Sequence, residues 1–319
     1  MIFEKQVVNG YKGMMHTRYD NTDISFYFSH KDFEGFEREA YVFKSSMGHT
    51  LQGYLYYYKD FIEDRLIVFD HGLGNGHRAY MREIEKLCSH GYRVFTYDHT
   101  GCMESGGEST NGMAQSLRDL DDCLTTIKAD ARFAGLDISV VGHSWGAFST
   151  LNISALHSTV SHIVAMSGFV SIDEMMKTFF AGPLKGYRKA VLELERTANP
   201  KFSTFNAVES LKNSNVKALL IYSADDQLCR RTHYDILKEG LGEKENIRFM
   251  LVQNKGHNPN YTADAVKLLE KFKKDRAKFA KKKNTTREEK QQFVKSFDWV
   301  SMTAQDETVW AEIFAHLDN

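Results

Sequence analysis

Short apolar runs that alternate with helix-like segments constrain the fold of this chain more than any other feature. The runs read RLIVFDHG (65–72), YRVFTYDH (92–99), DISVVGHS (137–144), SHIVAMSG (161–168) and KALLIYSA (217–224). Each is apolar on both faces, a pattern typical of strands that are buried on both sides of a parallel sheet. Alternation of such strands with helices predicts the α/β class, with a doubly wound, mostly parallel sheet. Upstream, EREAYVFKSS and TLQGYLYYYKD predict an antiparallel pair that leads into this sheet.

Two segments interrupt the alternation. Residues 173–205 contain two of the three prolines and several apolar pairs, and we interpret them as a small helical cap. The predicted core is then built from residues 1–172 and 206–319. An insertion at about 271–298 includes a basic stretch, 271–290, with ten Lys or Arg residues against three acids. A solvated helix face explains this stretch more simply than a tether to acidic lipid or nucleic acid, so the sequence assigns it no function.

The composition limits the partners and the compartment. The formal net charge is −1 and the pI is about 6.9, so we expect no nucleic acid partner. No run approaches the roughly 18 apolar residues of a membrane-spanning helix, and we therefore expect no stable membrane insertion. No signal peptide is evident, and the scattered cysteines predict reduced thiols (Cys88, Cys102, Cys123 and Cys229). We expect a cytoplasmic protein and leave its oligomeric state open.

Polar and glycine-rich segments follow the predicted strands, at the end of a doubly wound sheet where reactive groups collect. Ser144 follows the third run within GHSWGA, and Gly142 and Gly146 beside it allow the close backbone approach of a strained turn. HGLGNG follows the first run, and its glycines leave the backbone N–H of Leu73 accessible. These two turns are candidates for a nucleophile and for a site that binds an oxyanion.

An acid and a histidine follow later strands. SADDQL places Asp225 and Asp226 after the fifth run, and KGHNP places His257 after the apolar segment RFMLVQ. Serine, then acid, then histidine is the chain order of one hydrolase architecture. An imidazole activates a serine hydroxyl by accepting its proton, and a carboxylate fixes the tautomer of that imidazole. The backbone N–H groups of Leu73 and Trp145 would then form the oxyanion hole.

These motifs together resemble the α/β-hydrolase superfamily, and more narrowly its esterase, monoglyceride-lipase and serine-aminopeptidase-like branch. GHSWGA is similar to the nucleophile elbow, HGLG to the oxyanion turn, IYSADDQL to the acid loop and GHNP to the histidine loop. The resemblance covers roughly residues 37–262 and a closing helix near 302–317. It implies Asp226 rather than Asp225 as the acid, because Asp226 precedes the QL pair. It also implies structural roles for other residues of these motifs (His71, His99, His143 and Asp98).

The chain departs from the family pattern in three places. In YDHTGCMESGG, Met103 stands where the family usually has glycine and Thr100 where arginine is common. We expect both to alter a loop beside the cleft without affecting the nucleophile. The family usually needs about one more helix after the histidine, whereas this chain continues to residue 319.

The sequence therefore predicts a serine hydrolase that cleaves an acyl bond of a small molecule, most simply a carboxylic ester, without a cofactor. Apolar residues of the cap could line an acyl pocket, although packing of the cap onto the core explains them equally well (Met175, Met176, Phe179 and Phe180, with Leu184 and Tyr187). A peptidase or amidase, with Glu193 or Glu195 holding an amino terminus, is an alternative. A thioesterase, non-hydrolytic chemistry and a binding protein without turnover also stay open.

Metal and nucleotide sites are not expected. His71 and His77 border the glycine loop but lack the i, i+4 spacing and the acid of a zinc motif. GLGNG lacks the G-x-G-x-x-G register of a dinucleotide site.

Overall fold

An eight-stranded sheet forms the centre of the molecule in the computed structural model, which describes residues 3–20, 26–282 and 284–319. The strand order is β1-β2-β4-β3-β5-β6-β7-β8. The strands are β1 (Glu37–Lys44), β2 (Thr50–Tyr57), β3 (Arg65–Asp70), β4 (Arg93–Tyr97), β5 (Asp137–His143), β6 (His162–Met166), β7 (Lys217–Ser223) and β8 (Ile247–Val252). Five of them, β3 to β7, occupy the five apolar runs of the sequence, and β8 contains most of the apolar segment RFMLVQ.

The pairing confirms the predicted topology. β1 pairs with β2 and β2 with β4 in antiparallel fashion, whereas every pair from β4 through β3, β5, β6 and β7 to β8 is parallel. Because parallel strands share their direction, the turns that follow β3, β5, β7 and β8 meet at one edge of the sheet. All four predicted motifs follow these strands.

Helices cover both faces of the sheet. They are α1 (Glu4–Met15), α2 (Met81–Ser89), α3 (Gln115–Ala129), α4 (Trp145–Asn152), α5 (Ile172–Phe179), α6 (Arg188–Ala198), α7 (Ala207–Lys212), α8 (Arg231–Leu241), α9 (Ala263–Phe279), α10 (Arg287–Lys295), α11 (Trp299–Met302) and α12 (Glu307–Leu317). One core cluster joins α3, α4, α7 and α8 to the sheet, and a second joins α2 and α12 to the opposite face. The predicted closing helix is α12, with Val309, Ile313 and Leu317 buried in the second cluster.

The segment predicted to be a cap contains α5, a short 3₁₀ turn (Gly182–Tyr187) and α6. Its assignment as a separate unit stays a prediction. The structure adds a helix that the sequence analysis did not predict: α1 packs against α6 and buries Tyr11 and Met15 in the first core cluster.

After β8 the chain forms α9 and α10 before it reaches α12. Aromatic rings hold these two helices together: Phe279 stacks on Phe293 at 4.2 Å between centroids, and Phe272 contacts Phe297 and Trp299 edge-on at 4.9 Å. The basic stretch spans the end of α9 and the start of α10; Lys283 lies outside the described residues. Within the described ranges, no helix is long and apolar enough to cross a membrane.

Candidate active site

Ser144 occupies a strained turn between β5 and α4. Its backbone has φ 58° and ψ −114°, in a region that non-glycine residues rarely adopt. The two neighbouring glycines make this turn possible. A Cβ on Gly142 would lie 2.2 Å from Thr150 Oγ1, and one on Gly146 would lie 2.1 Å from the Asp70 carbonyl oxygen. The backbone of α4 thus crosses the end of β3 without room for a side chain, and the serine projects from the tip.

The structure brings Ser144, His257 and Asp226 into one hydrogen-bonded chain. His257 Nε2 lies 2.7 Å from Ser144 Oγ, and His257 Nδ1 lies 2.8 Å from Asp226 Oδ2. The Asp226 carboxylate is 2 % exposed and also accepts the backbone N–H groups of Leu228 and Cys229. Because a carboxylate accepts from Nδ1–H, Nε2 is left as the acceptor for the serine proton.

Asp225 has a different set of partners. Its carboxylate accepts from the Ser223 hydroxyl at 2.5 Å and from the backbone N–H groups of Lys255 and Gly256 at 3.2 and 3.3 Å. It therefore joins the end of β7 to the loop that carries His257. The two adjacent aspartates thus have different roles: Asp226 contacts the imidazole of His257, and Asp225 holds the loop that carries His257.

The turn after β3 lies against the serine. A Cβ on Gly72 would approach Ser144 Cβ to 3.3 Å, and Leu73 follows it along the edge of the same cavity. Trp145 is the first residue of α4, and the N–H groups of a first helical turn have no partner inside the helix. The Leu73 and Trp145 amides thus belong to the two backbone segments that flank Ser144.

Tyr80 and His143 link these segments, a role that the sequence analysis missed for Tyr80. His143 Nε2 lies 2.7 Å from the His257 carbonyl oxygen, which can only accept, so Nε2 carries the proton. His143 Nδ1 then accepts from the Tyr80 hydroxyl at 2.8 Å, and that hydroxyl accepts the Gly72 N–H at 3.1 Å. Burial lowers the pKa of His143 to about 3, so it stays neutral in this chain. No local motif signals Tyr80, because its partners come from two other parts of the chain.

An apolar cavity of about 300 Å³ opens beside Ser144. Its walls come from the turn after β3, from the two motif loops, from the cap and from α1 (Met14, Met15, Gly72, Leu73, Tyr80, Met113, His143, Ser144, Trp145, Phe169, Met175, Phe179, Leu228, Cys229 and His257). Met14 and Met15 were not predicted. Of the residues that the structure describes, no aspartate, glutamate, lysine or arginine lines it.

Only two of the four predicted pocket residues lie on this cavity. Met175 and Phe179 are one helical turn apart on α5 and line it, whereas Met176 and Phe180 are buried outside its lining. Residues at i and i+4 share a face of a helix, so their neighbours at i+1 and i+5 point elsewhere. The expectation that Met176 and Phe180 line the pocket is therefore wrong.

Glu195 lies outside the cavity and holds α1 in place. Its carboxylate is fully buried and accepts from the Tyr11 hydroxyl at 2.6 Å and from the Met113 N–H at 2.8 Å, and His16 Nε2 lies 3.1 Å away. Glu193, on the same helix, is exposed. Glu195 thus connects the cap, α1 and the loop before α3.

The two departures in the loop after β4 have structural explanations. Met103 has φ 44°, in the left-handed region that glycine adopts most readily. The Thr100 hydroxyl and N–H both donate to the buried Asp119 carboxylate, at 2.8 and 2.7 Å. Asp98 organises the same loop by accepting from the His77 N–H and Nδ1 at 2.9 and 2.8 Å. That both departures alter a loop beside the cleft stays a prediction.

A mostly parallel sheet flanked by helices, with the serine turn after β5 and the histidine loop after β8, has the architecture of the α/β-hydrolase superfamily. Residues 63–248 match the model of the family described as serine aminopeptidase, S33, and the chain belongs to that family.

Individual relatives are more distant. The uncharacterized protein YqkD of Bacillus subtilis is 26% identical over 148 residues, which are 46% of this chain and 48% of YqkD, so the match spans about half of that relative. The esterase Pf2001 of Pyrococcus furiosus superposes with a TM-score of 0.60 at 20% identity, covering 83% of this chain and 98% of the esterase. An acylaminoacyl peptidase of Pyrococcus horikoshii gives 0.54 at 16% identity, covering 82% of this chain and 45% of the peptidase. At these identities the structural similarity shows a shared fold and nothing more.

Proposed function

We propose that this chain is a serine hydrolase that cleaves carboxylic esters through an acyl-enzyme on Ser144. One observation carries the proposal: the hydrogen-bonded chain from Asp226 through His257 to Ser144 ends at an uncharged cavity. A serine hydroxyl becomes an effective nucleophile when a neighbouring base accepts its proton, and His257 Nε2 is positioned to do so.

In the proposed mechanism, His257 Nε2 takes the proton of the Ser144 hydroxyl as Oγ attacks the ester carbonyl carbon. Asp226 orients the imidazole and stabilises its charged form. The N–H groups of Leu73 and Trp145 donate to the oxyanion of the tetrahedral intermediate. His257 then gives its proton to the leaving oxygen. A water molecule next attacks the acyl-enzyme as His257 takes its proton, and this proton passes to Ser144 Oγ when the acid leaves.

The lining and the volume of the cavity favour a substrate with an apolar acyl group. Methionine, leucine and phenylalanine side chains dominate its walls, and a volume of about 300 Å³ is at the lower end of small-molecule sites. We therefore expect short to medium acyl chains to react faster than long ones.

The aminopeptidase alternative finds less support. A free amino terminus needs an acidic partner, because a buried unpaired ammonium group is costly. Of the two glutamates considered, Glu195 is already engaged by Tyr11 and Met113, and Glu193 is exposed away from the cavity lining. The same Ser-His-Asp chemistry would also serve a thioester.

The test is a series of p-nitrophenyl esters from acetate to palmitate, with aminoacyl-p-nitroanilides beside them. The wild type should hydrolyse the esters with an optimum at short or medium chains, and Ser144→Ala should lose this activity while keeping its melting temperature. Equal ester hydrolysis by both proteins would reject the proposal. Hydrolysis of the anilides alone would replace it by the aminopeptidase reading.

A further inference from the structure

Two further cavities adjoin the active-site cavity. One, of about 430 Å³, shares Tyr80 with it, and the other, of about 730 Å³, shares Leu73. Asn75 and Arg276 line both, so the two cavities form one continuous groove along α9. Asn258, the residue after His257, also lies in its wall. The groove therefore runs past the oxyanion turn and the histidine loop.

Among the residues that the structure describes, six cationic side chains line this groove (Arg78, Arg82, Lys273, Arg276, Lys282 and Lys290), and no aspartate or glutamate does. Lys273 pairs with Glu270 at 2.7 Å. Within the described ranges, Arg276, Lys282 and Lys290 form no ion pair with a carboxylate. Unbalanced positive charge around a cavity attracts and holds anions.

The nearby acids of α9 and α10 have partners within their own segments. Asp275 pairs with Lys278 at 3.4 Å, and Glu289 caps its own helix by accepting the Thr286 N–H. Both line an adjoining cavity, which shares Phe279, Lys282 and Thr285 with the groove. The helices of the basic insertion thus place cations on the side that leads to the active site.

Aromatic rings complete the groove wall. The Arg78 and Arg82 guanidinium groups lie over the Tyr27 and Phe28 rings at 5.2 and 5.5 Å. Such stacking holds the planar guanidinium in a fixed orientation with its edge N–H groups available, which suits bidentate contact with a phosphate.

We propose that this cationic groove binds a phosphate-bearing leaving group, so that the substrate is an acyl ester or thioester of a phosphorylated alcohol or thiol. The inference rests on the proposed function. The acyl part fills the uncharged cavity, whose described lining has no lysine or arginine to pair with a phosphate. The leaving group takes its proton from His257 and must therefore lie beside the histidine loop, where the groove begins.

Two sources could supply this chemistry, a phosphoglyceride or a coenzyme A thioester, and paired substrates distinguish them. We would compare octanoylglycerol with octanoylglycerol 3-phosphate, and octanoyl-pantetheine with octanoyl-coenzyme A. The phosphorylated member of one pair should have a kcat/KM at least about tenfold higher, mainly through a lower KM, and this preference should weaken with added salt. Equal kcat/KM values within both pairs would overturn the proposal.

A charge-removal variant tests the position of the groove. The triple variant Arg276→Gln, Lys282→Gln, Lys290→Gln should abolish the preference for the phosphorylated substrate. The matched control, Lys267→Gln, Lys271→Gln, Lys274→Gln, removes the same number of charges from a different cavity and should retain it. If both variants change the preference equally, the groove is not the site.

Binding without turnover separates this proposal from the proposed function. Calorimetry with Ser144→Ala should detect glycerol 3-phosphate or adenosine 3′,5′-bisphosphate, and the triple variant in the same background should not. Binding by a protein whose wild type hydrolyses no ester would support the groove and reject the esterase. Ester hydrolysis with no binding of either phosphate would reject the groove alone.

Discussion

At the residue scale, the adjacent aspartates at the end of β7 are the sharpest test of the site. Asp226 contacts the imidazole of His257, whereas Asp225 contacts the end of β7 and the loop that carries His257. Asp226→Asn should reduce kcat on p-nitrophenyl esters by about 10³–10⁴-fold, because an amide favours the wrong imidazole tautomer. Asp225→Asn, the matched control, should reduce it by no more than about tenfold, through movement of the loop. A larger loss from Asp225→Asn than from Asp226→Asn would contradict the assignment.

The residues with local motifs could be predicted from the sequence, and those that depend on distant contacts could not. Ser144, His257 and Asp226 each follow a recognisable strand, so chain order sufficed to group them. The division between Met175 and Met176 depends on the rotation of α5 about its axis, which two adjacent methionines do not reveal. Tyr80 gains its role only when the turn after β3 and the end of β5 are packed together.

At the scale of single elements, the glycine turn at the start of α4 should tolerate no side chain. Gly146→Ala would place a Cβ 2.1 Å from the Asp70 carbonyl oxygen in a central strand. We expect it to lower the free energy of unfolding by at least about 2 kcal/mol, since the packed backbone cannot move aside. Gly13→Ala in α1 is the control: nothing lies within 4 Å of its Cβ, and it should stabilise the helix by about 0.5–1 kcal/mol. Urea unfolding measures the change in Gly146→Ala, and hydrogen exchange of α1 measures the change in Gly13→Ala. An unchanged free energy of unfolding for Gly146→Ala would contradict this packing.

The helix α1 should depend on the buried carboxylate of Glu195. Glu195→Gln removes the charge that accepts from Tyr11 and Met113, and a hydrogen bond to a charged group contributes about 1.5–3 kcal/mol. We expect faster hydrogen exchange across α1 and a higher KM for apolar esters, because α1 carries Met14 and Met15 into the cavity wall. Glu193→Gln, on the exposed side of the same helix, should change neither. Unaltered exchange in Glu195→Gln would show that α1 is held by other contacts.

The sequence did not reveal α1, although it revealed the sheet. Runs that are apolar on both faces stand out in any sequence, whereas α1 is a mostly polar helix that buries only Tyr11 and Met15. Its position depends on a contact between Tyr11 and Glu195, which are 184 residues apart. The strands and their order along the chain were therefore predictable, and α1, which closes the cavity, was not.

At the scale of the whole molecule, buried histidines set the dependence of stability on pH. Burial alone would lower the pKa of His99, but the carboxylates of Asp70 and Asp119, 2.8 and 3.3 Å away, raise it to about 9. Its contribution is complete below pH 6.5 and is lost as the pH rises through about 9. Burial lowers the pKa values of His71 and His143 to about 3, so their effect is opposite and stability falls as the pH drops below 6.5.

We therefore expect the free energy of unfolding to reach its maximum near pH 6–7. Urea denaturation between pH 4 and pH 9.5 measures it, and His99→Asn should flatten the decline on the alkaline side. A stability that still rises between pH 7 and pH 9 in the wild type would contradict the charged state of His99.

The fold at this scale was predictable because the family motifs are spread along the sheet in chain order. The cationic groove was not, since it is formed only when the insertion packs through Phe279 and Phe293 and turns Arg276 towards the oxyanion turn. A count of basic residues in one stretch cannot say which surface they face.

The central claim is that Ser144 is an activated nucleophile. The most direct test is to treat the folded protein with a fluorophosphonate and to locate the adduct by mass spectrometry of its peptides. We predict a single adduct on Ser144, formed within minutes and absent in both Ser144→Ala and His257→Ala. An unlabelled wild type, or an adduct on another serine that survives Ser144→Ala, would contradict it.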